Sequence, residues 1–155
     1  VSVSHDIATI QESDAVIAAT NHPDALIKDA YLQPGMIVVD DAQPSDVEDV
    51  SLMRNDILVL EGGVVHTDTI RIPFDFGLQN RGDIFSCLAE AIILAGNPDI
   101  SIDTVGKMEC VDFDALNEFD AEGERIGLTR GVFQNAKRVY SDEDIAHVRT
   151  IASDL

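Results

Sequence analysis

The sequence predicts an α/β fold built on about three parallel strands with crossover helices, followed by a C-terminal helical segment. Three short apolar runs occupy residues 15–19, 36–39 and 57–60. They are continuous rather than alternating, which is typical of strands buried on both faces of a parallel sheet. Their even spacing fits βαβ units with short crossovers. The alternating patterns and hairpin turns of a β-sandwich are not found.

Two short crossover helices are predicted between these strands. Pro23 can open the first helix, which would run through Ile27. Ser45 can cap the second helix, and Glu48 three residues later would complete a capping box. We therefore expect a helix on each connection of the sheet.

The pattern changes after residue 63. Residues 64–81 are interpreted as an irregular loop, or as a short strand at residues 70–73. Three helices are predicted beyond it, at residues 83–95, at residues 112–126 and from a cap at Ser141. We accordingly expect residues 1–82 to be the C-terminal half of an NAD(P)-binding Rossmann-like domain. Residues 83–155 would be a helical segment that packs on or beside it.

A complete dinucleotide-binding fold has a first βαβ half that carries G-x-G-x-x-G at the pyrophosphate, and the ten glycines never show that spacing. We expect that half to precede Val1, so that the chain is a fragment that is inactive alone. A half sheet leaves one edge without a partner strand, which predicts self-association.

Composition excludes several classes of function. Ten basic and 29 acidic residues give a net charge of −19, which disfavours binding to nucleic acid or to an anionic membrane. No apolar run approaches the about 20 residues of a membrane span, and no signal peptide is seen at the start. Two cysteines make no disulfide framework, so a reducing cytoplasm is expected. The histidines and cysteines show no metal-ligand spacing.

Candidate cofactor-binding residues follow the predicted strands, because ligands of open α/β sheets bind at the carboxyl ends of the strands. Thr20 and Asn21 could hold a nicotinamide ribose, or they could cap the helix opened by Pro23. Asp40 and Asp41 point opposite ways, so one of them could reach a ligand while a turn role is the alternative. The remaining candidates are Gly62 and Gly63, which allow close approach of a flat ligand or serve a turn with positive φ.

Two side chains are candidates for catalysis. His66 lies in a predicted loop and could act as a general acid, or it could simply be exposed. Cys87 lies near the start of the predicted helix at residues 83–95, where a thiolate is favoured and would suit a nucleophile. The alternative is a buried cysteine that packs as a small apolar group. Cys110 is interpreted as structural.

Two motifs resemble a known family. Residues 60–66 (LEGGVVH) and 84–94 (IFSCLAEAIIL) are similar to the C-terminal part of the cyanobacterial-type long-chain acyl-[acyl-carrier-protein] reductases. In that family a Gly-Gly-Val-Val stretch precedes a helix with Phe-Ala-Cys-Phe-Ala-Glu-Ala. Residues 36–46 and 114–133 are similar in outline. The family has Glu-His after Val-Val, whereas this chain has His66 followed by Thr67.

The resemblance implies an NADP- or NAD-dependent reductase that transfers an acyl group from carrier protein or coenzyme A to Cys87 and then reduces the thioester to an aldehyde. Two alternatives stay open. One is an oxidoreductase similar to shikimate or amino-acid dehydrogenases, acting by direct hydride transfer. The other is a non-catalytic nucleotide-binding or interaction domain.

Overall fold

The computed structural model describes residues 2–97, 99–100 and 113–154. The chain forms two compact units. The first, here called the parallel unit, comprises Val1–Gly62, Gly77–Gln79 and Val132–Leu155, and the second, the antiparallel unit, comprises Gly63–Phe76 and Asn80–Gly131. These limits differ from the predicted ranges 1–82 and 83–155, because the last part of the chain belongs to the same unit as the first strands.

The parallel unit contains a three-stranded parallel sheet. Its strands are β1 (Ala15–Ala18), β2 (Ile37–Asp40) and β3 (Leu58–Glu61), in that spatial order. The three predicted strands and their parallel direction are therefore confirmed. One face of the sheet packs on the apolar core, because alternate side chains of each strand point to it. The buried members of that core are Ala18, Ile27, Leu32, Met36, Val38, Val47, Leu52, Ile57 and Val59.

The predicted helix from Pro23 to Ile27 is wrong. Ile27 instead forms a parallel bridge with Val47, and its N–H donates to the Asp46 carbonyl oxygen at 2.8 Å. The two connections thus pair with each other in extended form. The N–H and carbonyl groups of Ile27 bond to the other connection and are not available for hydrogen bonds within a helix. The helical part of this crossover is one 3-10 turn at Asp29–Tyr31.

The predicted capping box at Ser45 is also wrong. The Ser45 hydroxyl donates to Asp40 Oδ2 at 2.5 Å instead of accepting from a helical N–H. Glu48 turns towards the other crossover, where its carboxylate accepts from the Asp29 N–H and pairs with Lys28. A 3-10 helix starts only at Asp49 and ends at Met53.

The C-terminal part of the chain covers the outer edge of β3. The Tyr140 hydroxyl accepts from the Val59 N–H at 3.1 Å and donates to the Val59 carbonyl oxygen at 3.0 Å. The Asn135 amide donates to Val59 O and to Tyr140 Oη, and the Glu61 N–H donates to the Gln134 carbonyl. Backbone groups that a fourth strand would satisfy are therefore satisfied by residues 134–140.

The helix predicted after Ser141 is confirmed as α3 (Asp142–Ser153), with a complete capping box between Ser141 and Asp144. Hydrogen bonds from the Ser141 hydroxyl and backbone, together with Arg138, hold the pKa of Asp144 at about 2. α3 covers part of the second face of the sheet through an apolar cluster of Leu58, Tyr140 and Val148. Nearer to β1 the same face stays open, and Ile17 is 79 % exposed.

The antiparallel unit has a sheet that was not expected. β4 (Val64–Thr67) lies between β5 (Asp83–Phe85) and β6 (Leu128–Arg130), and both pairs are antiparallel. The predicted loop over residues 64–81 is thus wrong at its start. Residues 70–73 form no strand.

Two helices accompany this sheet. α1 (Ser86–Gly96) begins three residues later than predicted, because residues 83–85 pair with β4. α2 (Phe113–Arg125) agrees with the prediction for residues 112–126 within the described range. The buried core of the unit joins Ile84, Ala89, Ile93, Ile100 and Leu128. Within the described residues, no helix is long and apolar enough to cross a membrane.

Tyr140→Phe tests the closure of the β3 edge. We expect the free energy of unfolding to fall by about 1–3 kcal/mol, because the substitution leaves a buried N–H and carbonyl of Val59 with fewer partners. Urea unfolding followed by circular dichroism measures the change. Tyr31→Phe is the control, since the half-buried Tyr31 hydroxyl makes no hydrogen bond to described residues. Equal stability of both variants would contradict the assignment.

Candidate functional site

The carboxyl end of β1 presents Thr20 and Asn21. The Thr20 hydroxyl donates to Asp46 Oδ1 at 2.7 Å and accepts from the His22 N–H at 3.2 Å. No helix follows, so the alternative that these residues cap one is wrong. Thr20 is tied into the loop that follows β2, whereas the Asn21 side chain is exposed.

The two aspartates at the carboxyl end of β2, Asp40 and Asp41, have different environments. Asp40 is 4 % exposed, and its carboxylate accepts from the N–H groups of Ala42, Asp46 and Val47 as well as from the Ser45 hydroxyl. It therefore organises the loop from residue 42 to residue 47. Asp41 is exposed at the same end of the sheet. Of the two, Asp41 is the one that a ligand could reach.

Gly62 is required by packing. A Cβ at this position would lie 2.7 Å from Asp41 Oδ1 and 2.8 Å from its Cα, so only glycine fits beside the β2 end. The Gly62 N–H donates to the Asp40 carbonyl at 2.8 Å. Asp41 thus occupies the space that a side chain at residue 62 would need. This contact accounts for the glycine, and no bound ligand is required to explain it.

A buried carboxylate near these strand ends lacks a partner on one oxygen. Asp46 is 1 % exposed, and its Oδ2 atom makes no hydrogen bond to the part of the chain that the structure describes. Glu61 is the last residue of β3 and pairs with Asp40 in the sheet. Burial raises the pKa of its carboxyl, and repulsion from Asp40 raises it further. The carboxyl end of the parallel sheet is therefore acidic and would reject a phosphate group unless a cation accompanied it.

Gly63 belongs to the antiparallel unit and supports the start of α1. Its carbonyl accepts from the Ser86 N–H at 2.6 Å, and its φ is 60°. A Cβ there would lie 2.2 Å from Ser86 Oγ. Glycine is needed both for the left-handed backbone and for the close approach of the helix. The residue positions α1 directly, which is a role that the sequence did not reveal.

Cys87 is exposed in the first turn of α1. The alternative of a buried structural thiol is therefore wrong for this residue. No side chain caps α1, and the Ser86 N–H is already used by Gly63. The following amides of the first turn have no acceptor within the helix, as at every helix N-terminus. Cys110 lies outside the described residues.

His66 lies on β4 and is held by a buried carboxylate. Its Nδ1 atom is 2.7 Å from Asp83 Oδ1, and the Asp83 side chain is only 1 % exposed. The Asn80 amide donates to the other Asp83 oxygen at 3.1 Å. The exposed Asp68 lies 3.4 Å from His66 Nε2. The predicted loop histidine is thus a strand residue with a fixed ring, and its Nε2 side is the one that faces outwards.

The hydrogen bond to Asp83 raises the pKa of His66 above its ordinary value of 6.5, and Asp68 adds to the effect. A raised pKa in the folded state means that the pair stabilises the fold fully below about pH 6.5. That stabilisation is lost as the pH rises through the folded-state pKa. The imidazole therefore keeps its proton to a higher pH than a histidine without these partners would.

Asp83 and Asn80 were missed by sequence reasoning. Asp83 is 17 positions from His66, and the two meet only because they are direct partners in the β4–β5 register. The local sequence contains only a weak signal for β5, because an acidic residue followed by two apolar residues can begin a strand as well as a helix. Asp46 was missed for a similar reason, because its burial depends on the loop around Asp40.

The comparisons with known proteins give little. No protein-family model matches the chain. The aminotransferase PigE of Serratia sp. (strain ATCC 39006) is 34% identical over 82 residues, a match that covers 51% of this chain and 10% of that protein. The chain thus spans about a tenth of the length of this curated relative. A match of that extent shows a shared segment and no family.

Asp83→Asn tests the cause of the raised pKa of His66. We expect the pKa of His66 to return to about 6.5 or below, because an amide replaces the buried carboxylate. The His66 ring resonances, followed by NMR against pH, measure it. Asp68→Asn is the control and should shift the pKa less, since Asp68 is exposed to solvent. A larger effect of Asp68→Asn would overturn the assignment.

Proposed function

We propose that this chain is part of an NAD(P)H-dependent reductase that takes the acyl group of a thioester onto Cys87 and releases it as an aldehyde. The observation that carries the proposal is the exposed thiol in the uncapped first turn of α1. A Rossmann-type identity for the parallel sheet is part of the proposal. The three consecutive parallel strands and the resemblance of residues 60–66 and 84–94 to acyl-carrier-protein reductases support it.

The first half of the proposed reaction needs only residues of the antiparallel unit. The Cys87 thiolate attacks the carbonyl carbon of the acyl thioester, and a tetrahedral oxyanion forms. The free amides of the first turn of α1 stabilise that oxyanion as it develops. The carbon–sulfur bond to the carrier then breaks, and the carrier leaves as a thiol after it gains a proton. The acyl group remains on Cys87 as a new thioester.

His66 suits the role of proton donor in this scheme. Asp83 fixes the ring through Nδ1, and the raised pKa keeps a proton available for transfer from Nε2. β5 carries Asp83 and runs directly into α1, which carries Cys87 four residues later. Asp83 and the thiol therefore belong to one continuous strand and helix, and His66 lies on the neighbouring strand β4.

The cofactor would be held by the carboxyl end of the parallel sheet. The exposed amide of Asn21 and the exposed carboxylate of Asp41 fit the hydroxyl groups of a ribose. The acidic character of this edge does not fit a phosphate, so these residues suit the nucleoside part of NADP or NAD. Such a cofactor, when bound in its reduced form, would supply the hydride that reduction of a thioester to an aldehyde requires.

The name of the Serratia relative adds a chemical link to this proposal. An aldehyde is a carbonyl compound of the kind that an aminotransferase converts into an amine. The segment that this chain shares with a protein named as an aminotransferase makes up only 10% of that protein. The short shared region agrees with a reductase segment that makes the carbonyl compound on which an aminotransferase acts. An acyl carrier protein or coenzyme A would deliver the acyl group.

Cys87→Ala tests covalent catalysis without any cofactor. The 155-residue chain is incubated with an acyl-coenzyme A, and intact-mass spectrometry counts the acyl groups that become attached. We expect one acyl group on the native chain and on Cys110→Ala, and none on Cys87→Ala. His66→Gln should slow acylation about 100-fold or more if it donates the proton. An unacylated native chain that still binds NADPH would favour direct hydride transfer or a non-catalytic domain.

The edge of β1 is proposed as a self-association surface. β1 pairs with β2 alone among the described strands, and Ile17 is 79 % exposed on it. Unpaired strand edges with apolar side chains associate readily. We expect Ile17→Lys to lower the association constant at least tenfold in sedimentation equilibrium. Val50→Lys is the control, since Val50 is also exposed but lies in a 3-10 helix. A native chain that stays monomeric at every concentration would refute this proposal.

A further inference from the structure

The antiparallel unit contains a cavity whose lining includes neither Cys87 nor His66. Its volume is about 620 Å³, within the roughly 300–1,000 Å³ of typical ligand pockets. The described residues that line it come from α1, α2, β4 and β6, and all of them belong to this one unit. A ligand of this cavity would therefore be recognised by side chains that the proposed reaction does not use.

Each of the two helices turns one face towards the cavity. The lining positions have the i, i+3, i+4, i+7 spacing of a single helix face, at residues 86, 89, 90 and 93 of α1 and at residues 116, 119, 120 and 123 of α2. Ala89, Ile93 and Leu128 of this lining are buried, and Phe119 adds a half-buried aromatic ring. The interior is thus apolar and suits the hydrocarbon part of a ligand.

Three carboxylates also line the cavity, although a helix usually carries its charges on the face that points away from the apolar one. They belong to Glu90, Asp120 and Glu124, and none of them forms an ion pair within the described part of the chain. Asp120 and Glu124 are four residues apart on α2, so their like charges repel each other. Arg130 is the one cation among the described lining residues, and three carboxylates against one guanidinium leave two negative charges in excess.

An organic cation with an apolar chain matches both parts of this lining. An ammonium group has three N–H donors, and carboxylates are acceptors only. The face of an aromatic ring such as Phe119 attracts a cation as well. A ligand that carries a carboxylate or a phosphate would be repelled by the excess negative charge. A neutral chain would fill the apolar part but would leave the repulsion between Asp120 and Glu124 uncompensated.

We propose that this cavity between α1, α2 and the antiparallel sheet is a binding site for a primary aliphatic amine in its ammonium form. The hydrocarbon chain would cover the buried side chains of the interior, and the ammonium group would lie among the carboxylates of α1 and α2. This site goes beyond the proposed function, because it needs neither Cys87 nor a nicotinamide cofactor. The two proposals can therefore fail independently of each other.

Three ligands with the same chain and different head groups test the site. Octylammonium chloride, octanol and sodium octanoate are titrated into the 155-residue chain at neutral pH, and isothermal titration calorimetry measures each Kd. We expect octylammonium to bind at one saturable site, about tenfold or more tighter than octanol, with octanoate the weakest of the three. Binding of octanol or octanoate as tight as that of octylammonium, or no binding of octylammonium, would overturn the proposal.

A matched pair of variants separates the site from the general attraction of an acidic chain for cations. Glu124 and Glu118 are both exposed glutamates of α2, and only Glu124 lines the cavity. Glu124→Gln and Glu118→Gln change the net charge equally. We expect Glu124→Gln to weaken octylammonium binding by about two- to fivefold and to leave octanol binding unchanged, whereas Glu118→Gln should bind both like the native chain. An equal effect of the two variants would overturn the site.

A second pair of variants tests the apolar part of the site. Leu116 lines the cavity from α2 and is 49 % exposed, so Leu116→Trp can fill the space without disturbing a buried position. Ala121 is an exposed residue of the same helix outside the lining, and Ala121→Trp is the control. We expect Leu116→Trp to abolish the binding of octylammonium and of octanol, with native helix content by circular dichroism. Undiminished binding in Leu116→Trp would place the ligand elsewhere and overturn the proposal. If Leu116→Trp does not fold, the glutamate pair alone decides.

Discussion

The antiparallel ladder between β4 and β5 determines the geometry of the antiparallel unit. Its register places His66 directly opposite Asp83, and it ends where Phe85 passes into α1. The same ladder sets Val64 opposite Phe85, next to the Gly63 carbonyl that receives the Ser86 N–H. One set of backbone hydrogen bonds thus orients a histidine, starts a helix and brings a thiol to its first turn. If the pairing shifted by one residue, the side chains of the shifted strand would point to the opposite face of the sheet.

Glycine at residue 63 is the local condition for this arrangement. The helix start approaches the strand so closely that no side chain would fit there, and the backbone has a positive φ that other residues rarely adopt. Gly62, the preceding residue, is also required by close packing, because Asp41 of the parallel unit fills the space that a Cβ would need. The pair of glycines in the motif LEGGVVH therefore serves two packing contacts, and a ligand is not needed to explain either of them.

Buried carboxylates have two different functions in this protein. Asp40 receives hydrogen bonds from backbone groups of the loop after β2 and holds that loop in place. Asp83 receives its bonds from side chains, and one of them belongs to a residue that can change its charge. Only the second arrangement contains a histidine, whose ring can accept and donate a proton and whose pKa is raised by Asp83.

The sequence by itself determined the three parallel strands, α3 with its cap, and the exposed acidic surface, because these depend on local patterns of apolar, capping and charged residues. It also singled out His66 and Cys87 as candidate residues, from their types and positions. It could not determine the crossovers, where the bridge between Ile27 and Val47 replaces the helices that the local signals favoured. Nor could it find the second sheet, Asp83 as the partner of His66, or the cavity, because each arises from residues distant in the chain. Backbone hydrogen bonding between distant segments decided these features, and that pairing leaves no local pattern in the sequence.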